Sequence, residues 1–287
     1  MKPFKTLAQV RSPDGSMITL HEHDGEHYIK HNGRQLMSTI ATVSELLLAD
    51  LGCKPLRSAA KPRILIGGLG LGFTLKRVLE LVGPDAVVHV SELLPEVVQW
   101  NREFLGSVNG TLLEDPRVKV LVKDVYQVLR EASKASYDAI LLDTDHTPSS
   151  WVQAKNVRIY QRGGFVAVSR ALRPLGIVAY WSAGEDPLFE QKFASAGFKV
   201  QTYEAKSHPT AKRAVHRIYV GQSRPPTERE LAIQASIQAT GKKPQSPRAR
   251  RLERAKAARS PFLSPAAVEG IERAERRRLE SRPSPKK

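Results

Sequence analysis

The stretch Arg63-Ile64-Leu65-Ile66-Gly67-Gly68-Leu69-Gly70-Leu71-Gly72 constrains this chain more than any other. A short apolar run closed by glycines predicts a strand buried on both faces of a parallel sheet. The glycines permit a tight turn into a helix, and without Cβ atoms a ligand can lie against the main chain at the helix N-terminus. Downstream, Val88-His89-Val90-Ser91-Glu92 predicts a second strand ending in a carboxylate. In doubly wound sheets an acid roughly 20 residues after the glycine turn grips the two hydroxyls of a ribose. Together these features predict a nucleoside pocket.

The spacing narrows the ligand. Dinucleotide folds use G-x-G-x-x-G, the last glycine packing helix on strand. Here the order is Gly68-x-Gly70-x-Gly72, and Phe73 stands where that last glycine belongs. No Lys-Ser or Lys-Thr follows, which excludes a P-loop. The pattern suits ligands of the S-adenosylmethionine type, which carry adenosine and a sulphonium but no phosphate. The alternative is a turn that only packs helix against strand.

From Arg63 to Gln222 apolar runs alternate with helical periodicity. Strands are expected at 63–67, 86–91, 117–122, 138–143, 175–181, 197–203 and 214–221, and helices at 72–82, 95–105, 125–133, 161–172 and 186–195. Alternation of this kind requires a mostly parallel sheet covered on both faces. The short link Glu204–Arg213 leaves no room for a helix, so the last pair is expected to be antiparallel. That is a seven-stranded, Rossmann-like α/β sheet of the class I methyltransferase type.

Before it, residues 16–37 alternate around Asp24-Gly25 and Asn32-Gly33, predicting strands Met17–His21, His27–His31 and Arg34–Met37. Residues 38–52 predict an amphipathic helix closed by Gly52. Three parts are therefore expected: a small N-terminal β unit with its helix (1–52), a nucleoside-binding α/β domain (53–222) and a tail (223–287).

The tail changes composition to Arg, Lys, Pro, Ser and Ala. It holds 17 Lys+Arg against 7 Asp+Glu over residues 224–287, so it carries most of the net charge of +16. A capped helix is predicted at 265–280, but it has almost no apolar face. Too little is buried to offset ordering entropy, so disorder is expected. Arg248-x-Arg250-Arg251 and Arg276-Arg277-Arg278 suit weak, non-specific, salt-sensitive contact with nucleic acid. Phe262 is the tail's one aromatic, which argues against base stacking.

The single cysteine, Cys53, excludes a disulfide framework and suits a reducing compartment. No secretory h-region and no apolar run long enough to span a bilayer is present, so a cytoplasmic protein without membrane contact is expected. His21, His23, His27 and His31 fall on both faces of strands expected to be exposed. No supporting Cys or carboxylate spacing accompanies them, so no metal site is expected.

The matched residues now add up to a family. The chain resembles spermidine synthases and related polyamine aminopropyltransferases over roughly residues 16–222. Ser91-Glu92-Leu93-Leu94-Pro95-Glu96-Val97-Val98 resembles the family segment E-I-D-x-x-V-I, whose glutamate binds ribose hydroxyls. Lys123-Asp124-Val125 resembles its G-D-G, whose aspartate holds the adenine amino group. Tyr137 to Asp145 resembles Y-D-x-I-x-x-D-S-S-D-P, whose first aspartate deprotonates the attacking amine. Asn32-Gly33-Arg34-Gln35 resembles D-G-x-x-Q.

The resemblance implies decarboxylated S-adenosylmethionine as a co-substrate rather than a bound cofactor, a small-molecule amine as acceptor, and a homodimer. It assigns the donor to Gly68, Gly70, Gly72, Glu92, Asp124 and Val125, and the acceptor side to Gln35. The departures lie on the acceptor side. The aspartate that clamps the aminopropyl ammonium is replaced by Leu71. The family's second aspartate is replaced by His146, with Asp145 one place early. Its Y-x-E becomes Val43-Ser44-Glu45, and no Y-P-S-G segment occurs among Tyr203–Lys212.

The expected chemistry is in-line displacement at a carbon attached to sulphonium, where alignment and proton removal supply most of the rate. An amine arrives as an ammonium with a pKa near ~10, so a carboxylate must take its proton. Asp143 at a strand tip is the expected base, assisted by Asp145 or by His146, whose imidazole titrates near neutrality. Its structural alternative is a turn or N-cap residue. Trp151, with Trp181, is a candidate wall for the acceptor, where an aromatic face attracts a cation by ~0.5–2 kcal/mol; ordinary core packing is the alternative. Trp100 and Phe104 are expected in the core. Three functions stand open: aminopropyl transfer from decarboxylated S-adenosylmethionine, methyl transfer from S-adenosylmethionine, and nucleic-acid association through the tail.

Overall fold

The computed structural model describes residues 3–144 and 156–225, with 227, 228, 231, 232 and 235 beyond them. Four strands open the chain: β1 (Lys5–Arg11), β2 (Met17–His23), β3 (Glu26–His31) and β4 (Arg34–Ser38). They form an antiparallel sheet in sequence order. Asp24 and Gly25 both have positive φ, as do Asn32 and Gly33, the geometry that two-residue hairpin turns require. Strand β1 goes unforeseen in the sequence, because Leu7, Ala8 and Val10 are its apolar residues and none is fully buried.

The expected helix at 38–52 begins later, as α1 (Val43–Cys53). Ser38 still belongs to the sheet, opposite Tyr28, and the Thr39 hydroxyl accepts from the His27 amide and donates to Glu26. Extended pairing holds those residues out of the helix. Two of the histidines also need correcting. His27 and His31 share a face with Ile29 that packs inward, and His27 is buried rather than exposed.

The second sheet is built from β5 (Arg63–Gly67), β6 (Val87–Glu92), β7 (Val118–Val122), β8 (Tyr137–Leu142), β9 (Leu172–Ser182), β10 (Lys199–Ala205) and β11 (His216–Gln222). The helices between them are α2 (Phe73–Leu81), α3 (Pro95–Glu103), α4 (Gly106–Asn109), α5 (Val125–Glu131), α6 (Arg162–Ala171) and α7 (Pro187–Ser195). The strand order is β10-β11-β9-β8-β5-β6-β7, with β11 antiparallel to both neighbours and the other pairs parallel.

Ile64 and Ile66 face one core with Leu48, Leu75 and Val78. Leu65 faces the other, with Phe165, Tyr180 and Phe193. That is why the strand reads as an unbroken apolar run. The order reverses at β5, between β6 and β8, and this switch point is where open α/β sheets place ligands.

A third core joins Ile18, Leu20, Ile29 and Met37 of the first sheet to Leu71 of the glycine turn, Val97 and Trp100 of α3, and Leu105 beyond it. Residues 1–225 accordingly form one compact unit, with no break in packing at the boundary expected near residue 52. Residues 226–287 fall in a second unit. The predicted helix at 265–280 and the rest of the tail beyond 235 lie outside the described residues. Among the described residues no helix is long and apolar enough to cross a membrane. No group of three or more His, Cys, Asp or Glu in that set has metal-binding geometry.

Candidate active site

A cleft opens above the switch point, lined by Gly68, Gly70, Glu92, Leu94, Asp124, Val125, Asp143 and Thr144 from the main domain. Ile18, Ile29, His31, Leu36 and Met37 of the small sheet complete its wall. The glycine turn has three positive-φ residues, Gly68 (96°), Gly70 (51°) and Gly72 (86°), a conformation that L side chains rarely adopt. Space forbids a Cβ as well. One on Gly68 would lie 2.1 Å from the Asp143 carbonyl oxygen, and one on Gly70 would lie 2.7 Å from the Met37 side chain. The Asn101 amide donates to the Gly70 carbonyl at 2.8 Å, and the Asn109 amide donates to that of Leu71.

Glu92 reaches under this turn from the end of β6. Its carboxylate accepts from the main-chain N–H of Leu69 at 2.9 Å and of Leu94 at 2.9 Å, so it ties the glycine loop to the loop after β6. Burial pushes its carboxyl above the usual range, against the amides of Leu94 and Leu69, which pull it down. Asp124 lines the cleft and caps α5, its side chain accepting from the Tyr126 N–H at 2.8 Å. The Val125 side chain lies where a Cβ on Gly67 would come within 2.8 Å.

Asp143 sits just beyond β8. Its Oδ2 accepts from the Thr74 hydroxyl at 2.5 Å, and its Oδ1 is buried with no hydrogen-bond partner among the described residues. Burial pushes the carboxyl up to about 6, with the Thr74 bond pulling the other way. Behind it lies Glu45 in the first turn of α1, buried and pushed up to about 7 by burial and by the charge of Asp143. Glu45 Oε2 accepts from the Ser44 hydroxyl at 2.7 Å, and Ser44 Oγ lies 3.0 Å from His216 Nδ1 on β11.

Two of the remaining candidates are placed elsewhere. Gln35 is exposed on β4, opposite Lys30, and the lining comes instead from its neighbours Leu36 and Met37. Trp181 is buried in the core, edge-on to His216 with ring centres 4.8 Å apart, and does not line the cleft. Trp100 is buried in the third core and Phe104 packs against it. Leu71 is likewise buried there, 1% exposed. Asp145, His146 and Trp151 lie outside the described residues.

Thr74, Asn101 and Asn109 escaped the sequence reading. An asparagine beside Trp100 on a face otherwise apolar is the signal that would have found Asn101. The link between Ser44 and His216 spans 172 positions and leaves no local signal.

Residues 49–215, well over half of the chain, match the model of the spermine/spermidine synthase domain. The chain belongs to this family. Within the spermine/spermidine synthase family it is 32% identical to the polyamine aminopropyltransferase of Mycobacterium tuberculosis H37Rv over 117 residues, covering 40% of this chain and 21% of that protein. It is 33% identical to putrescine N-methyltransferase 1 of Nicotiana tabacum over 125 residues, covering 43% and 32%. The chain thus spans only a fifth to a third of the curated relatives it matches. Its fold is that of the spermidine synthase from Thermotoga maritima (TM-score 0.57, 18% identity, 76% of this chain and 72% of that one). A spermidine synthase solved with the transition-state analogue AdoDATO also superimposes on it (TM-score 0.57, 16% identity, 92% and 86%).

Proposed function

We propose that the chain transfers the aminopropyl group of decarboxylated S-adenosylmethionine to a polyamine-type amine, with Asp143 as general base. One observation carries this reading. Glu92 beneath a bare glycine turn and Asp143 with an unpartnered buried oxygen line the same cleft. Glu92 would hold the ribose, and Asp124 and Val125 would frame the adenine. Asp143 would take a proton from the acceptor nitrogen, whose lone pair then displaces the thioether in line. Family membership and the aminopropyltransferase relative support the transfer.

A second reading, methyl transfer from S-adenosylmethionine, has its own support. Leu71 occupies the place of the ammonium-clamping aspartate and is buried in the third core, and one relative is a putrescine N-methyltransferase. The acceptor would again be an amine. Incubation of the purified chain with decarboxylated S-adenosylmethionine and putrescine or spermidine should yield a product heavier by one aminopropyl group; no gain with any amine would sink the first reading. Calorimetry with both donors separates the two, since a strong preference for the carboxylated donor, with methylated product, establishes the second.

A further inference from the structure

A second cavity, of about 900 Å³, shares no lining residue with the cleft above the switch point. It is a groove between α6 and α7, which cover the same face of the sheet. Phe165 of α6 stacks on Phe193 of α7 with ring centres 5.5 Å apart and forms part of its floor. Helical spacing decides which side chains reach it. In α6, Phe165, Val168 and Ala171 are buried, so Arg162, Val166, Ser169 and Arg170 share the outward face. Gln191 and Lys192 do the same on α7, where Phe189 and Phe193 are buried. Lys134 beyond α5 and Arg224 beyond β11 extend the lining.

The charge of this groove is one-sided. Lys134, Arg162, Arg170, Lys192 and Arg224 all line it and all are exposed, and no Asp or Glu lies among the lining residues. Arg162, Arg170 and Lys192 form no ion pair among the described residues. Arg170 is pinned by main-chain carbonyls instead. Its Nη2 donates to Arg130 at 2.5 Å and to Ala132 at 2.6 Å, which fixes the guanidinium without neutralising it. A cleft of one sign focuses the field and raises the local concentration of the opposite charge.

The same side chains select the occupant. From Arg162 to Arg170 the helix rises by ~12 Å, so the cations are strung along a line, which suits a chain of phosphates better than a small anion. Arg224 is also the first of 17 Lys and Arg over residues 224–287, which continue the basic run in sequence. Gln161, Ser169 and Gln191 are exposed between the cations and can bond a ribose 2′-hydroxyl, itself donor and acceptor. Val166, 61% exposed, is the one large apolar side chain that the groove presents, so an acidic peptide finds no anchor pocket. Tyr160 and Phe165 are 5% and 3% exposed, so bases have no ring to stack on. A gap between neighbouring helices takes one strand and not a duplex.

We propose that the groove between α6 and α7 binds the sugar–phosphate backbone of single-stranded RNA without regard to base. This site is separate from the transfer reaction and from the tail. Its test is a fluorescence-anisotropy titration of the full chain with a labelled short oligouridylate, from ~50 to ~200 mM salt. Binding should weaken with salt by ~0.7 in slope for each phosphate neutralised. Arg162→Glu combined with Lys192→Glu should lower affinity by ~10-fold or more and make the slope shallower by ~1.4, the share of two phosphate contacts. Lys54→Glu combined with Lys119→Glu removes the same charge from exposed positions outside the groove, and should leave affinity within ~2-fold. Both double variants should melt like the wild type, since all four side chains are exposed. Equal losses in the two variants overturn the proposal and assign the binding to bulk charge or to the tail. Equal affinity for oligodeoxythymidylate, for duplex RNA or for oligoglutamate overturns the assignment to an RNA strand, and no binding by the wild type overturns the site outright.

Discussion

On one side of the cleft, the Glu92 carboxylate is held by the main-chain amides of Leu69 and Leu94, and the glycine turn is braced by Asn101 and Asn109. On the opposite side, Asp143 accepts from Thr74 of α2, while Glu45 accepts from Ser44 of α1, which lies against His216 of β11. The Glu92 side is made of backbone geometry and balances its buried charge with fixed N–H dipoles. The Asp143 side carries two carboxyls with raised proton affinity, so its charge state depends on pH. Binding of the nucleoside and handling of the proton should therefore respond separately to mutation.

The sharpest break between the halves is Asp143→Asn. It keeps the shape and the Thr74 contact but cannot accept a proton, so turnover should fall by ~10²–10⁴-fold while nucleoside affinity in calorimetry stays put. Gly68→Ala should damage both halves together. Its φ of 96° costs ~1–3 kcal/mol for a residue with a Cβ, and that Cβ collides with the Asp143 carbonyl. A lowered melting temperature together with weakened nucleoside binding is the expected result; an unchanged protein would show that the turn relaxes freely. Glu92→Gln removes a charged acceptor and should weaken nucleoside binding by ~1.5–3 kcal/mol, the worth of a hydrogen bond to an ionised group. The pH profile of turnover should keep its shape.

A smaller effect concerns stability. Unfolded carboxyls titrate near ~4, and in the folded chain Asp143 and Glu45 are raised to about 6 and about 7. Between those values the folded state holds more protons, so the stability this pair contributes is fully present at acid pH and is lost as pH rises through about 7. Melting curves should show that decline in the wild type and a flatter one in Glu45→Gln. Deletion of residues 226–287 should change turnover least of all; a large loss would mean the tail takes part in catalysis.

The alternation of apolar runs and helices was legible because strands buried on both faces need unbroken apolar sequence, and the glycine turn was legible because only glycine tolerates three positive φ values in five residues. Strand β1 and the start of α1 were not, since edge pairing and the Thr39 contacts override weak local preference. The sequence by itself determined the class of fold and the glycine turn, because the apolar strand and the turn glycines that follow it lie within a few residues of one another. Only tertiary structure decided that Met37 closes over Gly70, that Leu71 points into a core, and that Glu45, Ser44 and His216 stand behind Asp143. Those contacts join residues with no fixed spacing along the chain, and packing alone brings them together.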